Sequence, residues 1–221
     1  MVVLFSIPFF ATCAFSSQKD DFRFPENLET MMNSCGSSQC IVVLAKDSTG
    51  CLARVYAFEK GLRNWRPGLP SFDAVIGRNG LAAIGEKREG DGKTPSGVFP
   101  VGLVFGYGPE IASKMPYRQT CENDIWVDDP ESPEYNKWVL KGTTSAKSFE
   151  EMKRKDHLYK YGMVIEYNTK PIVKGWGSAI FFHIWLAPGE STGGCVAVSE
   201  KKMLWLLKWL DSAKKPFISI Q

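Results

Sequence analysis

From Cys40 onward the apolar residues come in short continuous runs and in period-two alternations, the patterns of buried and half-buried strands. CIVVLA (40–45) and CLARVYAFE (51–59) are two such segments, joined by the polar turn KDSTG. FDAVIG (72–77) predicts a short strand ending at Gly77, and GVFPVGLVFG (97–106) predicts another. Pro100 inside that segment removes a ladder donor and points to an edge or a bulge. YGMVIEY (161–167) and SAIFFHIWL (178–186) are the most apolar runs and belong at the centre of a sheet. VAVS (196–199) and the closing PFISI (216–220) complete the strand set. Helical spacing is rarer. Met203, Leu206, Leu207 and Leu210 recur on one face of EKKMLWLLKWLDSA, with Ser199 as N-cap. Ser148-Phe-Glu-Glu151 reads as a capping box and predicts a short helix over 148–156. Residues 106–145, rich in turn dipeptides such as Gly108-Pro109 and Asp129-Pro130, read as an irregular excursion. The fold class is therefore mainly β with a few short helices. Residues 40–221 form one domain, without internal repeat or change of composition, and 18–39 is a polar N-terminal arm or linker.

The first residues differ from the rest. MVVLFSIPFFATCAFSSQ carries no charged side chain before Lys19, and its apolar run is of signal-peptide length, too short for a comfortable membrane span. Small residues follow at Ala14, Ser16 and Ser17, so 1–17 is read as an export signal, although no basic residue precedes the apolar run. Cys13 opens a lipoprotein alternative, but Phe10-Ala11-Thr12-Cys13 is a poor acylation site and plain cleavage is favoured. Five cysteines remain after such a cleavage: Cys35, Cys40, Cys51, Cys121 and Cys195. An exported protein oxidises its thiols in pairs, and an odd number leaves at least one free. Cys35 with Cys40 closes a small loop, and Cys51 with Cys121 is a second candidate pair.

Charge and motif spacing exclude several functions. A net charge of +3 spread along the chain does not make a nucleic-acid footprint. GDGKT (90–94) suggests a phosphate loop, but the glycine the pattern needs five positions before Gly92 is Lys87, and Pro95 follows at once. No nucleotide is expected. No C-x2-C pair occurs, and His157 and His183 do not stand at metal-ligand spacing, so no metal and no cofactor are expected. The loop's Lys87, Arg88 and Lys93 suit a groove for a carboxylate-bearing ligand, with Arg88 and Lys93 as binding residues.

The chemistry concentrates downstream. In FFHIW, His183 shares a strand face with Phe181 and Trp185, so an aromatic lines the same groove as the histidine. A histidine in so apolar a strand is costly unless it is hydrogen-bonded. In STGGCVAVS, two glycines before Cys195 let backbone N–H groups turn toward a substrate. Cys195 with His183 is thus a candidate nucleophile and base, and a core cysteine with a satisfied core histidine is the plainer alternative.

Three ordered motifs, KREGDGKTPSGVFPVG, GSAIFFHIW and TGGCVAVS, resemble the L,D-transpeptidase catalytic domain, also called the YkuD domain, over residues 40–221. The family pattern of a histidine, a variable stretch, then Ser or Thr, a residue, Gly and Cys falls on His183, Thr192, Gly193, Gly194 and Cys195. The variable stretch is shorter than in many members. Gly193 stands where a histidine is more usual, and Ala197 where an arginine is often found. The resemblance implies a β-sandwich-like fold and attack by Cys195 on the third residue of a peptidoglycan stem peptide, with His183 as proton acceptor and donor. It further implies that Thr192, Gly194 or a nearby carbonyl orients the imidazole, and that the Gly194 and Cys195 N–H groups hold the oxyanion. Trp185, Arg88 and Lys93 would contact substrate. An amine acceptor would give a crosslink; water would give an L,D-carboxypeptidase or amidase that trims stems or cleaves a wall-linked protein. A catalytically silent wall-binding module is the alternative from another class. Each implies an exported protein of the periplasm or cell envelope.

Overall fold

The computed structural model describes residues 24–221; the export-signal reading of 1–17 lies outside them. The chain runs through α1 (Glu26–Ser34), β1 (Gln39–Ala45), β2 (Leu52–Lys60), β3 (Trp65–Val75), β4 (Leu81–Ala82), β5 (Thr94–Pro95) and β6 (Gly97–Gly106). There follow β7 (Tyr117–Gln119), β8 (Asp124–Val127), β9 (Trp138–Leu140), β10 (Phe149–Glu151), β11 (Tyr161–Ile165), β12 (Phe181–Ile184) and β13 (Val196–Val198). α2 (Glu200–Trp209), a 3-10 turn (Ser212–Lys214) and β14 (Phe217–Ile220) close it. The fold is mainly β, as the apolar patterning predicts. Among the described residues no helix is long and apolar enough to cross a membrane.

The main sheet has the order β11-β12-β13-β3-β2-β1-β14-β6-β7, and β11 also pairs β6, so the sheet closes on itself. β1 explains why CIVV lacks alternation: it is buried on both faces. Ile41 and Val43 enter the main core, while Cys40 and Val42 pack with Phe58 against Leu28 and Met32 of α1. The arm thus contains a docked helix, held by two apolar side chains four residues apart. Pro100 sits where β6 changes partner: Phe217 of β14 pairs with Pro100, and Ile165 of β11 pairs with Val101 through a shifted register. The missing donor falls at that handover. β3 begins at Trp65, well before the expected start, because Pro67 and Pro70 are absorbed by irregular pairing with β2.

Two expectations are corrected. Residues 148–156 do not form a helix; Phe149–Glu151 is β10, antiparallel to β8 with Phe149 opposite Val127. Ser148 bonds the Asp128 carboxylate instead of capping, and pairing with the buried β8 satisfies the backbone. The same small sheet, β10-β8-β9, gives order to part of the excursion read as irregular. The five described cysteines are all free thiols. Cys40 points into the core under α1, and Cys35, the exposed C-cap of that helix, does not reach it.

α2 carries Met203, Leu206 and Leu207 into the core, and Ser199 accepts the Lys202 N–H as N-cap. Leu206 is fully buried, whereas Leu204 is 38% exposed. Leu206→Ala is expected to cost about 2–5 kcal/mol, and Leu204→Ala to stay within about 0.5 kcal/mol. Urea unfolding midpoints at constant m-value measure both; equal losses would contradict this packing.

Candidate active site

The turn before β13 is locked onto the end of β3. Thr192 N–H donates to Ile76 O (3.0 Å), and Arg78 N–H donates to Thr192 O (2.9 Å). The Cys195 carbonyl accepts two hydroxyls, Thr192 Oγ1 at 2.6 Å and Thr94 Oγ1 at 3.3 Å. Thr94 Oγ1 in turn accepts the Gly77 N–H (2.8 Å). This crowding dictates glycine at two places. A Cβ at Gly77 would collide with the Gly92 carbonyl, and one at Gly194 (φ +148°) would lie 2.9 Å from the Lys93 carbonyl.

Strand pairing brings the histidine to this turn. β12 runs parallel to β13 with His183 opposite Ala197. Phe182 and Ile184 face the main core, and Phe181 joins Cys195 and Tyr159 in a second cluster on the other face. His183 shares that face. Across the ladder it meets Gly162, whose missing side chain leaves room for the Phe105 ring. The Tyr159 ring packs edge-on against the imidazole at 5.1 Å. His183 Nδ1 lies 2.7 Å from Ile184 O. A carbonyl only accepts, so Nδ1 carries the proton and Nε2 is the basic nitrogen. The Cys195 thiol donates to Ala179 O (3.2 Å) and accepts the Phe181 N–H (3.3 Å).

Both groups are neutral at rest. Burial depresses His183 to about 4 against the opposing pull of the Ile184 hydrogen bond. Burial pushes the Cys195 thiol up to about 12, with the Phe181 N–H working the other way. The arrangement suits proton transfer during attack rather than a standing thiolate–imidazolium pair.

His183, Cys195, Thr192, Gly193 and Gly194 line one cavity of about 410 Å³, together with Trp185. The sequence reading therefore places the cysteine, the histidine and the aromatic in one cleft. It misassigns others. Thr192 and Gly194 do not orient the imidazole, which Ile184 holds; Thr192 spends its hydroxyl on Cys195 O and on the Gly194 N–H (3.1 Å). That occupied amide is not free for an oxyanion. Arg88 points away, donating to Gly85 O and Lys87 O and lying over the Trp176 ring. Lys93 contributes its carbonyl, against Gly194, rather than its ammonium. The loop's cleft-lining cation is Lys87, buried and paired with Asp91 at 2.6 Å.

Other cleft residues have no sequence signal beyond their type. Glu89 accepts Ser178 Oγ (2.7 Å) and the Tyr135 hydroxyl. Arg154 binds Glu150 at 2.9 Å and Asp156 at 2.6 Å. Asp128 Oδ1 is buried without a partner among the described residues. Burial raises its carboxyl, with the Glu89 charge adding. Burial also raises Glu150, more than Arg154 lowers it.

The family model for the L,D-transpeptidase catalytic domain, YkuD, matches residues 52–218. No curated protein matches the chain. Among solved structures, the helical cell shape determining protein Pgp2 from Campylobacter jejuni is similar at 18% identity, with a TM-score of 0.39 over 83% of this chain and 48% of that one. The chain thus spans about half the length of that protein.

The buried imidazole makes stability depend on pH. Unfolded, His183 takes a proton below its ordinary 6.5; folded, it refuses one until about 4. Its contribution is full above 6.5 and falls away as pH drops toward 4, by about 3 kcal/mol. His183→Gln is expected to flatten that part of the curve in urea titrations between pH 7 and 4. Parallel wild-type and variant curves would remove the shift.

Proposed function

The chain belongs to the L,D-transpeptidase catalytic domain (YkuD) family, and we propose that it is a cysteine-dependent peptidoglycan L,D-transpeptidase. The observation that carries this reading is that Cys195 and His183 line one cleft, the first as a buried thiol and the second as a neutral, tautomer-fixed imidazole.

The donor is a stem peptide whose third-residue carbonyl enters the cleft. As Cys195 Sγ bonds to that carbon, its proton passes to His183 Nε2. The oxyanion is met by backbone N–H groups of the turn. Gly193 and Cys195 supply them, since the Gly194 N–H is held by Thr192. Collapse breaks the C–N bond, and the imidazolium returns its proton to the departing D-alanine amine. The thioester then meets a neutral acceptor amine, whose proton passes to Nε2 as the new C–N bond forms; as the C–S bond breaks, Nε2 returns that proton to Sγ and restores the thiol. Asp128 Oδ1, buried in the cleft without a partner among the described residues, can hold an arriving ammonium and take the proton it sheds before attack, which favours an amine over water as acceptor. The substrate lies outside the cytoplasmic membrane, so this reading carries export to the periplasm or cell envelope with it.

The protein is to be incubated with tetrapeptide-stem muropeptides and the products resolved by mass. Crosslinked dimers are expected. Tripeptide stems alone would make it a carboxypeptidase, and no turnover with a free Cys195 would make it a wall-binding module. Cys195→Ala abolishes the reaction, and a carbapenem forms an adduct that maps to Cys195. His183→Ala keeps the fold and lowers acylation by at least ~100-fold, the scale of a general base. Near-wild-type acylation in that variant would return His183 to a core role.

A further inference from the structure

Outside the catalytic cleft, a second cavity of about 470 Å³ lies between segment 133–137 and loop 169–174. Its lining carries Lys137, Lys170, Lys174 and the Thr169 hydroxyl, and no acidic residue among the described ones. None of the three lysines forms an ion pair among the described residues. Lys137 Nζ donates to Pro133 O and Lys174 Nζ to Glu131 O, both at 3.1 Å. Those carbonyls are two residues apart, a span of at most about 7 Å, so two ammonium groups are fastened to one short turn. Two carboxylates of that turn are engaged elsewhere. Asp129 accepts the Glu131 N–H (3.0 Å) and the Lys147 N–H (2.8 Å), and Glu134 accepts the Ser132 and Thr144 hydroxyls (2.9 and 3.1 Å). They act on Lys174 and Lys137 only as charges through space.

The cavity is built in advance of any ligand. Asn136, buried, donates to Asn168 O (2.7 Å) and accepts the Ala179 N–H (3.1 Å) and the Trp126 indole N–H (2.8 Å). Asn168 closes the lysine loop, donating to Val173 O (2.9 Å) and Gly177 O (2.8 Å) and accepting the Val173 N–H (2.7 Å). A site already ordered spends less of its binding energy on ordering itself. Tyr135 forms one wall, and its hydroxyl donates to Glu89 of the catalytic cleft, so the two cavities stand back to back. Lysines are point charges, whereas the arginine fork is the match for a planar carboxylate. Three ammonium groups around one space suit a compact anion with acceptors on several sides. A phosphoryl group offers three oxygens and a charge of up to about −2; a carboxylate offers two oxygens in one plane. We propose that this second cavity binds a phosphoryl group, carried as a monoester or a diester. The proposal does not rest on the reaction assigned to Cys195.

The test is a titration of ¹⁵N-labelled protein at low and constant ionic strength, followed by backbone amide shifts. The probes are glycerol phosphate, a monoester; glycerophosphoglycerol, a diester; and succinate, a dianion without phosphorus. Saturable shifts centred on 133–137 and 169–174 are expected with a phosphate probe. Succinate is expected to bind at least ~5-fold more weakly. Lys170→Gln and Lys174→Gln each lower the phosphate affinity by about 5-fold, and together by at least ~10-fold, the scale of exposed charge pairs. Arg78→Gln, which removes a cation from the catalytic cleft, leaves it unchanged. Tighter binding of the monoester assigns the site to a terminal phosphate, and equal or tighter binding of the diester assigns it to a polymer backbone; both support the site. No saturable shift with either phosphate, shifts centred on the catalytic cleft, equal affinity for succinate, or a loss in Arg78→Gln as large as in the lysine variants would overturn the proposal.

Discussion

The carbonyl of Cys195 is gripped by the hydroxyls of Thr94 and Thr192, and the cleft depends on that grip. Thr94 also takes the Gly77 N–H, so one small cluster joins the end of β3, the glycine loop and the turn before β13. It holds the turn in a conformation that places Gly194 at φ +148° and brings Lys93 O against it. Buried polar groups at such a junction are either fully paired or expensive. Here they are paired, and the nucleophile candidate inherits a rigid backbone from three separate segments.

The second constraint is electrostatic. Burial holds the thiol and the imidazole in their neutral forms, so neither charge must be stabilised while the cleft is empty. The Ile184 carbonyl selects the tautomer with a basic Nε2. Around the pair, Arg154 and Lys87 are consumed by neighbouring carboxylates, whereas Arg78 and Asp128 keep unpaired groups in the cleft. A cleft whose free charges are of both signs orients a polar ligand rather than merely attracting one.

Much of the fold was legible because it rests on local patterning. The strands CIVVLA, GVFPVGLVFG, YGMVIEY and FFHI and the helix after Ser199 all lie where their apolar residues put them. The failures share a cause. Ser148-Phe-Glu-Glu151 has the local signs of a helix start, but a buried partner strand, β8, claims its backbone. α1 has too little apolar character to announce itself and gains its face only by packing on β1 and β2. β3 hides behind Pro67 and Pro70, which the irregular β2 ladder accommodates.

For the site, the sequence by itself singled out the two candidate residues, Cys195 and His183, with the glycines before the cysteine and the shared face of His183 and Trp185. These follow from residue type and short-range spacing. Only the tertiary structure decided which loop cation enters the cleft. Lys87, Arg88 and Lys93 are equivalent as letters, and their directions depend on Asp91, Trp176 and Gly194. It likewise gave Thr94, which looked like part of a failed phosphate loop, the carbonyl of Cys195 as its partner. Arg78 and Asp128 lie far from Cys195 in the chain, and only the packing of two sheets around one cavity brings all three to its walls. Spacing along a chain reports what a residue can do; which groups it meets is set by contacts between segments that the chain does not order.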